Sequence, residues 1–300
     1  MATLTVAPWR LFTVDVRTVR RLSPSFVRVT FTGPDLDRFC DNGYDQRVKL
    51  VFPLPGSGFA GLPTGEGWYQ RWRSLPETTR NPIRTYTARA VRPHLNEVDV
   101  DFAVHGDSGP ASRWALRARP RDVLAILGPD AGYDGDHGGV EFRPPKHVGS
   151  LLIAGDETAV PAIGAILERL PRNAYGEAFL EVPDRADVLP TQAPPGICVT
   201  WLVRDAGTHG SRLVPAVTAA ATRPLTRPTA PAAPLDDVDV DTGILWEVPT
   251  ARAAAPLYAW LAGEAGVIRT LRRLLVSECG IDRRSVAFMG YWRLGRPDEE

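Results

Sequence analysis

Lysine is almost missing from this 300-residue chain: Lys49 and Lys146 stand against thirty-three arginines. Genomic codon bias accounts for such a skew, but the skew has a chemical consequence. Phosphates and carboxylates will be recognised here almost wholly by planar guanidinium forks. Cysteine is also sparse. Cys40, Cys198 and Cys279 lie far apart, in no CxxC, zinc or iron–sulfur spacing, and a disulfide framework is not expected in a chain this large. The five histidines, at 94, 105, 137, 147 and 209, form no HExxH pattern. No metal centre is therefore expected, and any redox chemistry would need an organic cofactor. No apolar run approaches the ~20 residues of a membrane span. The opening "MATLTVAPWRLF" has no charged segment followed by a long apolar one. Both absences predict a cytoplasmic protein without stable membrane insertion. The formal net charge of zero argues against nucleic acid as a partner.

What is present changes texture along the chain. The first half alternates with period two. "FVRVTF" (26–31), "RVKLVF" (47–52) and "EVDVDFAVHG" (97–106) each set valine, leucine and phenylalanine against charged or hydroxyl residues. Such alternation predicts half-buried antiparallel strands, and several in succession with Gly/Pro turns predict a barrel or sandwich. Residues 53–82 are rich in Gly, Pro and polar residues and read as a long loop. From about 145 the pattern becomes strand then helix. "VGSLLIAGDETAVPAIGAILERL" (148–170) opens as a strand buried on both faces. It continues as a helix with Ala159, Ile163, Ile166, Leu167 and Leu170 on one face, capped by Glu157 or Thr158, with Pro161 in its first turn. Further strands are predicted at 177–182, 197–203, 257–262 and 285–292, with a helix over 264–279 that ends at Gly280. A Pro/Ala-rich and then acidic stretch at about 221–245 reads as a surface excursion.

The expected fold is an N-terminal antiparallel Greek-key β-barrel (1–145) followed by a Rossmann-like parallel α/β domain (146–300). That order matches ferredoxin-reductase-like flavoenzymes, in which a barrel holds FAD and an α/β half delivers NADH or NADPH. At this level it is an analogy of fold.

Four segments carry possible chemistry. In "NPIRTYTAR" (81–89), Arg84, Tyr86 and Ala88 point one way and Thr85, Thr87 and Arg89 the other. A flavin needs an aromatic face, an edge hydroxyl and a cation for its diphosphate, and Tyr86, Thr87 and Arg84 could supply them. Thr87 would reach the flavin edge through a twist or bulge in the strand. The alternative is an exposed strand with charged flanks. In "HGDSGPASRWA" (105–115) small residues precede a helix. Backbone N–H groups there could meet a phosphate, with Ser112 adding a hydroxyl; the alternative is a capped turn. "AGDETAVPAI" (154–163) lies where a parallel strand meets a helix, the crevice that open α/β sheets use for ligands, but it lacks GxGxxG. In "YAWLAGEAGVIRTLRRLL" (258–275), Gly263 and Glu264 sit at a similar junction. Arg269, Arg272 and Arg273 there form either a solvated face or an anion-docking patch. "GYWRLGR" (290–296) places Tyr291 and Trp292 either in the core or over a planar cofactor.

Together, "RTYTAR", "HGDSGPASRWA", "AGDETAVPAI", "WLAGE" and "GYWRLGR" resemble the siderophore-interacting family of FAD-dependent ferric-siderophore reductases, from about residue 10 to residue 296. The resemblance implies FAD bound by Arg84, Tyr86, Thr87, His105, Gly109, Ala111, Ser112, Thr158 and Ala159. It implies NAD(P)H bound near Asp156, Gly263 and Glu264, and a ferric siderophore as the small-molecule partner of a monomer. Tyr291 and Trp292 would cover the flavin, and Arg269, Arg272 or Arg273 would dock the siderophore. Glu181 could hold ribose hydroxyls and Arg204 a 2′-phosphate, which leaves NADH and NADPH both open with a lean to NADH. No residue is expected to act as a catalytic acid or base. Two rivals are a flavin reductase serving another acceptor and a protein that binds flavin or siderophore without turnover.

Overall fold

The computed structural model describes residues 6–65, 67–104, 109–223, 245–250 and 254–295. Two sheets organise it. The first is antiparallel, built from β1 (Trp9–Arg21), β2 (Phe26–Thr32), β3 (Arg47–Val51), β4 (Ile83–Thr87), β5 (Ala90–Arg92), β6 (Glu97–Ala103) and β7 (Val123–Pro129). Its order is β4-β3-β7-β1-β2-β6-β5. β7 returns to lie between β3 and β1, a Greek-key exchange that curls the sheet into a half-barrel. Period-two alternation does the work: Val14, Val16, Val29, Phe31, Val48, Leu50, Val100 and Phe102 all turn inward and are essentially buried. α2 (Pro110–Arg117) closes one end, its Trp114 ring lying 5.6–6.0 Å from those of Phe31, Phe52 and Phe102.

The second sheet has the order β10-β9-β8-β12-β13-β11. β8 (His147–Gly155), β9 (Tyr175–Val182), β10 (Gly196–Val203), β12 (Ala254–Glu264) and β13 (Val286–Trp292) run parallel, and β11 (Trp246–Glu247) pairs antiparallel at the edge. Its central strands are apolar on both sides because helices cover both faces. α3 (Val160–Arg169) packs against one side. α4 (Leu213–Ala221) and α5 (Ala265–Arg272) pack against the other.

Several elements differ from the sequence reading. β1, the 13-residue strand that pairs with both β2 and β7, was not expected, nor were β7 and α4. β1 crosses the barrel in one run, so its alternation is interrupted by the register shift between Val16 and Thr18. Inside the expected loop at 53–82 lies the short α1 (Trp68–Arg73), whose Trp72 is buried against Val51, Ile83 and Ala125. The expected 264–279 helix is α-helical only to Arg272 and continues as a π-type turn over Arg273–Glu278. α3 is not capped by Glu157 or Thr158. Ala159 takes the N-cap position and offers no side-chain bond. Of the excursion expected at about 221–245, residues 224–244 lie outside the described residues, while Ala221 ends α4 and Leu245 is buried.

The two sheets are pinned together by polar bonds. Buried Asp187 accepts from Ser23 Oγ, Ser25 N and Ser25 Oγ. Asp45, also fully buried, accepts from Trp260 Nε1, Glu141 N and Phe142 N. Arg89 pairs with Glu168 on α3.

Candidate functional site

The "RTYT" segment is β4, an edge strand that pairs with β3. Arg84 lies opposite Leu50 and Tyr86 opposite Val48, so both lean to the barrel side, as period two requires. The Tyr86 ring is half-buried, with its centroid 4.6 Å from that of Phe102. Arg84 donates back to the Ile83 carbonyl at 2.6 Å. Thr87 is buried and Thr85 is exposed. Arg89 lies beyond the strand and bonds Glu168 at 2.9 Å through Nη1, which makes it a bridge between the sheets.

Tyr86 is joined through Phe102 to Trp114 of α2, and the N-terminus of that helix is open among the described residues. Gly109 has φ 83°, and a Cβ there would meet no atom within 4 Å. Pro110 has no N–H, and among the described residues no side chain caps the turn formed by Gly109, Ala111 and Ser112. Small residues at a helix start that no described side chain caps suit an anionic group such as a diphosphate. Tyr86 suits a flat ring and the Thr87 hydroxyl its edge, but Thr87 lies opposite Arg47 on the other face of the strand, in a register without the expected bulge. The residues present therefore fit FAD. His105 lies outside the described residues.

The parallel sheet treats its helix starts in the opposite way. Asp156 accepts from Thr158 N at the entry to α3. Glu181 accepts from Gly210, Arg212 and Leu213 N–H groups at the start of α4. Glu264 accepts from Val267 N in α5. The dipoles of α4 and α5 are thus met by carboxylates from the chain itself, while Asp156 closes the turn that leads into α3.

Those bonds correct two expectations. Glu181 is fully buried and consumed by capping, so it is not placed to hold a ribose. Arg204 is buried and makes a bidentate pair with Glu157, both bonds 2.6 Å, so it does not face a 2′-phosphate. The apolar run that placed both at strand ends could not reveal that they point into the protein. The docking patch is corrected as well. Arg272 is buried and bonds Glu247, so it does not share a cationic face with Arg269 and Arg273. Arg273 is exposed beside Glu278, and Arg269 is half-buried.

Tyr291 is stacked on Trp246 with ring centroids 5.7 Å apart and meets Trp260 edge-on. It belongs to the junction between the sheets, and burial holds its hydroxyl well above the usual phenol range. Trp292 instead stands at the crevice, its ring 4.8 Å from that of His209, donating to Asp156 Oδ2 at 2.9 Å. Thr158 donates to Asp156 at the crevice floor, and Ala159 is buried beneath it. Burial and the adjacent Glu157 raise the Asp156 carboxyl to about 6. Asp156, Glu157 and His209 place ligand atoms within 4.8 Å of one another. The Arg204 guanidinium already supplies the cation there.

One site was not foreseen. A cavity of about 140 Å³ is lined by Trp9, Arg47, Val48, Lys49, Thr85 and Leu127. It lies on the outer side of the β3–β4 pair, where Lys49 faces Thr85. Arg47 stacks at 4.5 Å over Trp246 of the second sheet. The signal was legible: one of only two lysines sits two residues after an arginine, on the polar side of "RVKLVF".

The chain matches two family models, a siderophore-interacting FAD-binding domain over residues 15–133 and a siderophore-interacting protein over 148–295. The chain belongs to the siderophore-interacting protein family. It is 32% identical to the ferric vibriobactin reductase ViuB of Vibrio cholerae, over 93% of this chain and 88% of that one. It is 28% identical to an NADPH-dependent ferric-chelate reductase of Escherichia coli, over 93% and 91%. The structure of a siderophore utilization protein from T. fusca superposes with a TM-score of 0.72 at 30% identity, covering 99% of this chain and 98% of that one. A ferredoxin reductase of carbazole 1,9a-dioxygenase, at 14% identity and TM-score 0.60 over 96% and 71%, shares the fold.

Proposed function

We propose that this chain is an FAD-dependent ferric-siderophore reductase that draws electrons from NAD(P)H. The observation that carries the reading is the contrast between helix starts. Among the described residues no side chain caps α2, whose Trp114 meets the Phe102 ring that packs on Tyr86, while the starts of α4 and α5 are filled by Glu181 and Glu264. The relatives named ferric vibriobactin reductase and NADPH-dependent ferric-chelate reductase support the same chemistry.

In this reading Arg84 and the Gly109–Ala111–Ser112 turn hold the FAD diphosphate, Tyr86 presents its ring to the isoalloxazine, and Thr87 bonds its edge. When bound, FAD lets a two-electron donor serve a one-electron acceptor such as Fe(III). Thr158 and Ala159 close the crevice floor, and Gly263 and Glu264 line the nicotinamide side. Iron is substrate here: hard oxygen ligands hold Fe(II) less tightly than Fe(III), so reduction releases it. Arg47 and Lys49, with the Trp9 face between sheets, dock an anionic ferric chelate, and Arg273 adds exposed charge. The barrel over 1–145 and the α/β half over 146–300 divide the labour, in a monomer working in the cytoplasm. Among the described residues no helix is long and apolar enough to cross a membrane.

Purified protein tests this. It should be yellow, or become so with added FAD. NAD(P)H should bleach it without oxygen, and a ferric siderophore should restore the colour while an Fe(II) chelator reports the product. Protein that takes up no FAD overturns the reading. Bleaching without reoxidation by any ferric siderophore points to a different acceptor.

A further inference from the structure

Asp156 is enclosed, 3% exposed, yet it sits between three of the segments that line the crevice. Its Oδ1 accepts from Thr158 N at 2.9 Å and Thr158 Oγ1 at 2.5 Å. Its Oδ2 accepts from Glu264 N at 2.7 Å and Trp292 Nε1 at 2.9 Å. Four donors from three distant stretches thus use the acceptor capacity of one carboxylate. Gly263 makes the arrangement possible: a Cβ there would lie 2.6 Å from Oδ2, at φ 152°. A second carboxylate ties the same tail, since Leu294 N donates to Glu264 Oε1 at 3.3 Å. So enclosed a group does not meet a ligand itself. What it controls is the half-buried Trp292 indole, edge-on to His209 at the crevice mouth.

We propose that Asp156 is a positioning residue that fixes Trp292 as a rigid wall of the nicotinamide crevice, and so sets the affinity for NAD(P)H. This rests on the NAD(P)H-fed reading above. The lock works with the ionised carboxylate, because protonation converts one acceptor into a donor facing other donors. The charged and titratable groups around Asp156 are Glu157 next to it, Arg204 and His209 from the segment after β10, Glu264 from β12 and Tyr291 from β13. Asp156→Asn keeps the shape but turns an amide N–H₂ toward N–H donors. Trp292→Phe removes the indole donor and leaves the other three bonds.

The experiment measures KM for NAD(P)H and for the ferric siderophore in wild type, both single variants and the double variant. It also follows the fluorine NMR signal of Trp292 in protein labelled with 5-fluorotryptophan, assigned by its loss in Trp292→Phe. Each single variant should raise KM for NAD(P)H by about 5- to 10-fold, the effect of one lost hydrogen bond of ordinary net strength, with siderophore KM unchanged. The double variant should be no worse than either single, because both break one lock. The Trp292 signal should titrate with a midpoint near pH 6, where the Asp156 carboxyl is expected to lose its proton, and be flat in Asp156→Asn. Histidine ordinarily titrates in this range too, so His209→Gln serves as the control and should leave the midpoint in place. Losses that multiply in the double variant, an unchanged KM, or a midpoint abolished by His209→Gln overturn the proposal. If Asp156→Asn does not fold, wild-type KM for NAD(P)H should still rise below pH 6 while Trp292→Phe stays flat, and parallel pH profiles overturn it. Should wild type neither bind FAD nor oxidise NAD(P)H, the reductase reading falls, and the fluorine titration separately decides whether Asp156 holds Trp292.

Discussion

Trp260, in the middle of the second sheet, donates its indole N–H to Asp45 at the mouth of the barrel, 2.9 Å away and 215 residues earlier in the chain. Both side chains are fully buried. The backbone N–H groups of Glu141 and Phe142 share the same carboxylate, and the Tyr258 hydroxyl accepts from Arg143 N and donates to the Glu141 carbonyl. The segment between the sheets is therefore stitched to both. A buried carboxylate with three donors is tolerable; one without them is not.

A pH dependence of stability follows from Asp45. Desolvation raises its carboxyl to about 6, with the Phe142, Trp260 and Glu141 bonds opposing. The unfolded chain holds this proton only to about pH 4. Between about pH 4 and pH 6 the folded state therefore binds more protons, and stability falls as pH rises through that window and then levels. A gap of about two units corresponds to roughly 3 kcal/mol. Urea titrations from pH 4 to pH 7 should show the decline, reduced in Asp45→Asn, with Asp156 contributing the remainder in the same direction. A variant slope equal to that of wild type would contradict this assignment.

Much of this was legible in the sequence and some of it could not be. Period-two alternation in "FVRVTF" and "EVDVDF" marked barrel strands because each residue there has one neighbour in the core and one outside it. The same logic set Arg84 and Tyr86 on one face of the strand and Thr85 on the other. Arg204 and Glu181 were misread because strand periodicity places a residue at a sheet end without saying whether its head group turns to solvent or to a buried partner. Their partners, Glu157 and the 210–213 backbone, are 47 and about 30 residues away in sequence. The convergence of "AGDE", "GE" and "YW" on Asp156 is likewise a tertiary fact, visible only once β8, β12 and β13 lie side by side.

Glu181→Gln should leave the ratio of kcat/KM for NADH and NADPH unchanged, because the carboxylate caps α4 instead of facing a nucleotide. It should lower stability by about 1–2 kcal/mol, the loss of a charged cap shared by three N–H groups. Steady-state kinetics with both nucleotides, alongside thermal unfolding, checks the two halves separately. A changed ratio in a stable variant would return Glu181 to the nucleotide site.

Arg204→Ala removes one partner of a pair in which both side chains are buried. The uncompensated Glu157 then costs about 3–5 kcal/mol. The double variant Arg204→Met/Glu157→Leu, which removes both charges, should recover most of that loss. Chemical denaturation of the three proteins tests the claim, and a double variant as weak as the single would show that the pair contributes more than mutual neutralisation.

The cavity beneath Trp9 gives the prediction most closely tied to substrate. Lys49→Ala and Arg47→Ala should each raise KM for an anionic ferric chelate by about 3- to 10-fold, the range expected when one cation is lost from a partly desolvated site. A cationic ferric siderophore should be unaffected or bind better. Arg47 is the more demanding case, because it also pairs with Glu141 and stacks on Trp246. Arg47→Ala should therefore lower stability as well, and by more than Lys49→Ala. Increasing ionic strength should erase the Lys49 effect first, since exposed charges are screened within about 10 Å at 0.1 M salt. If both variants reduce anionic and cationic chelates as wild type does, docking lies elsewhere. The exposed Arg273 then becomes the next position to replace.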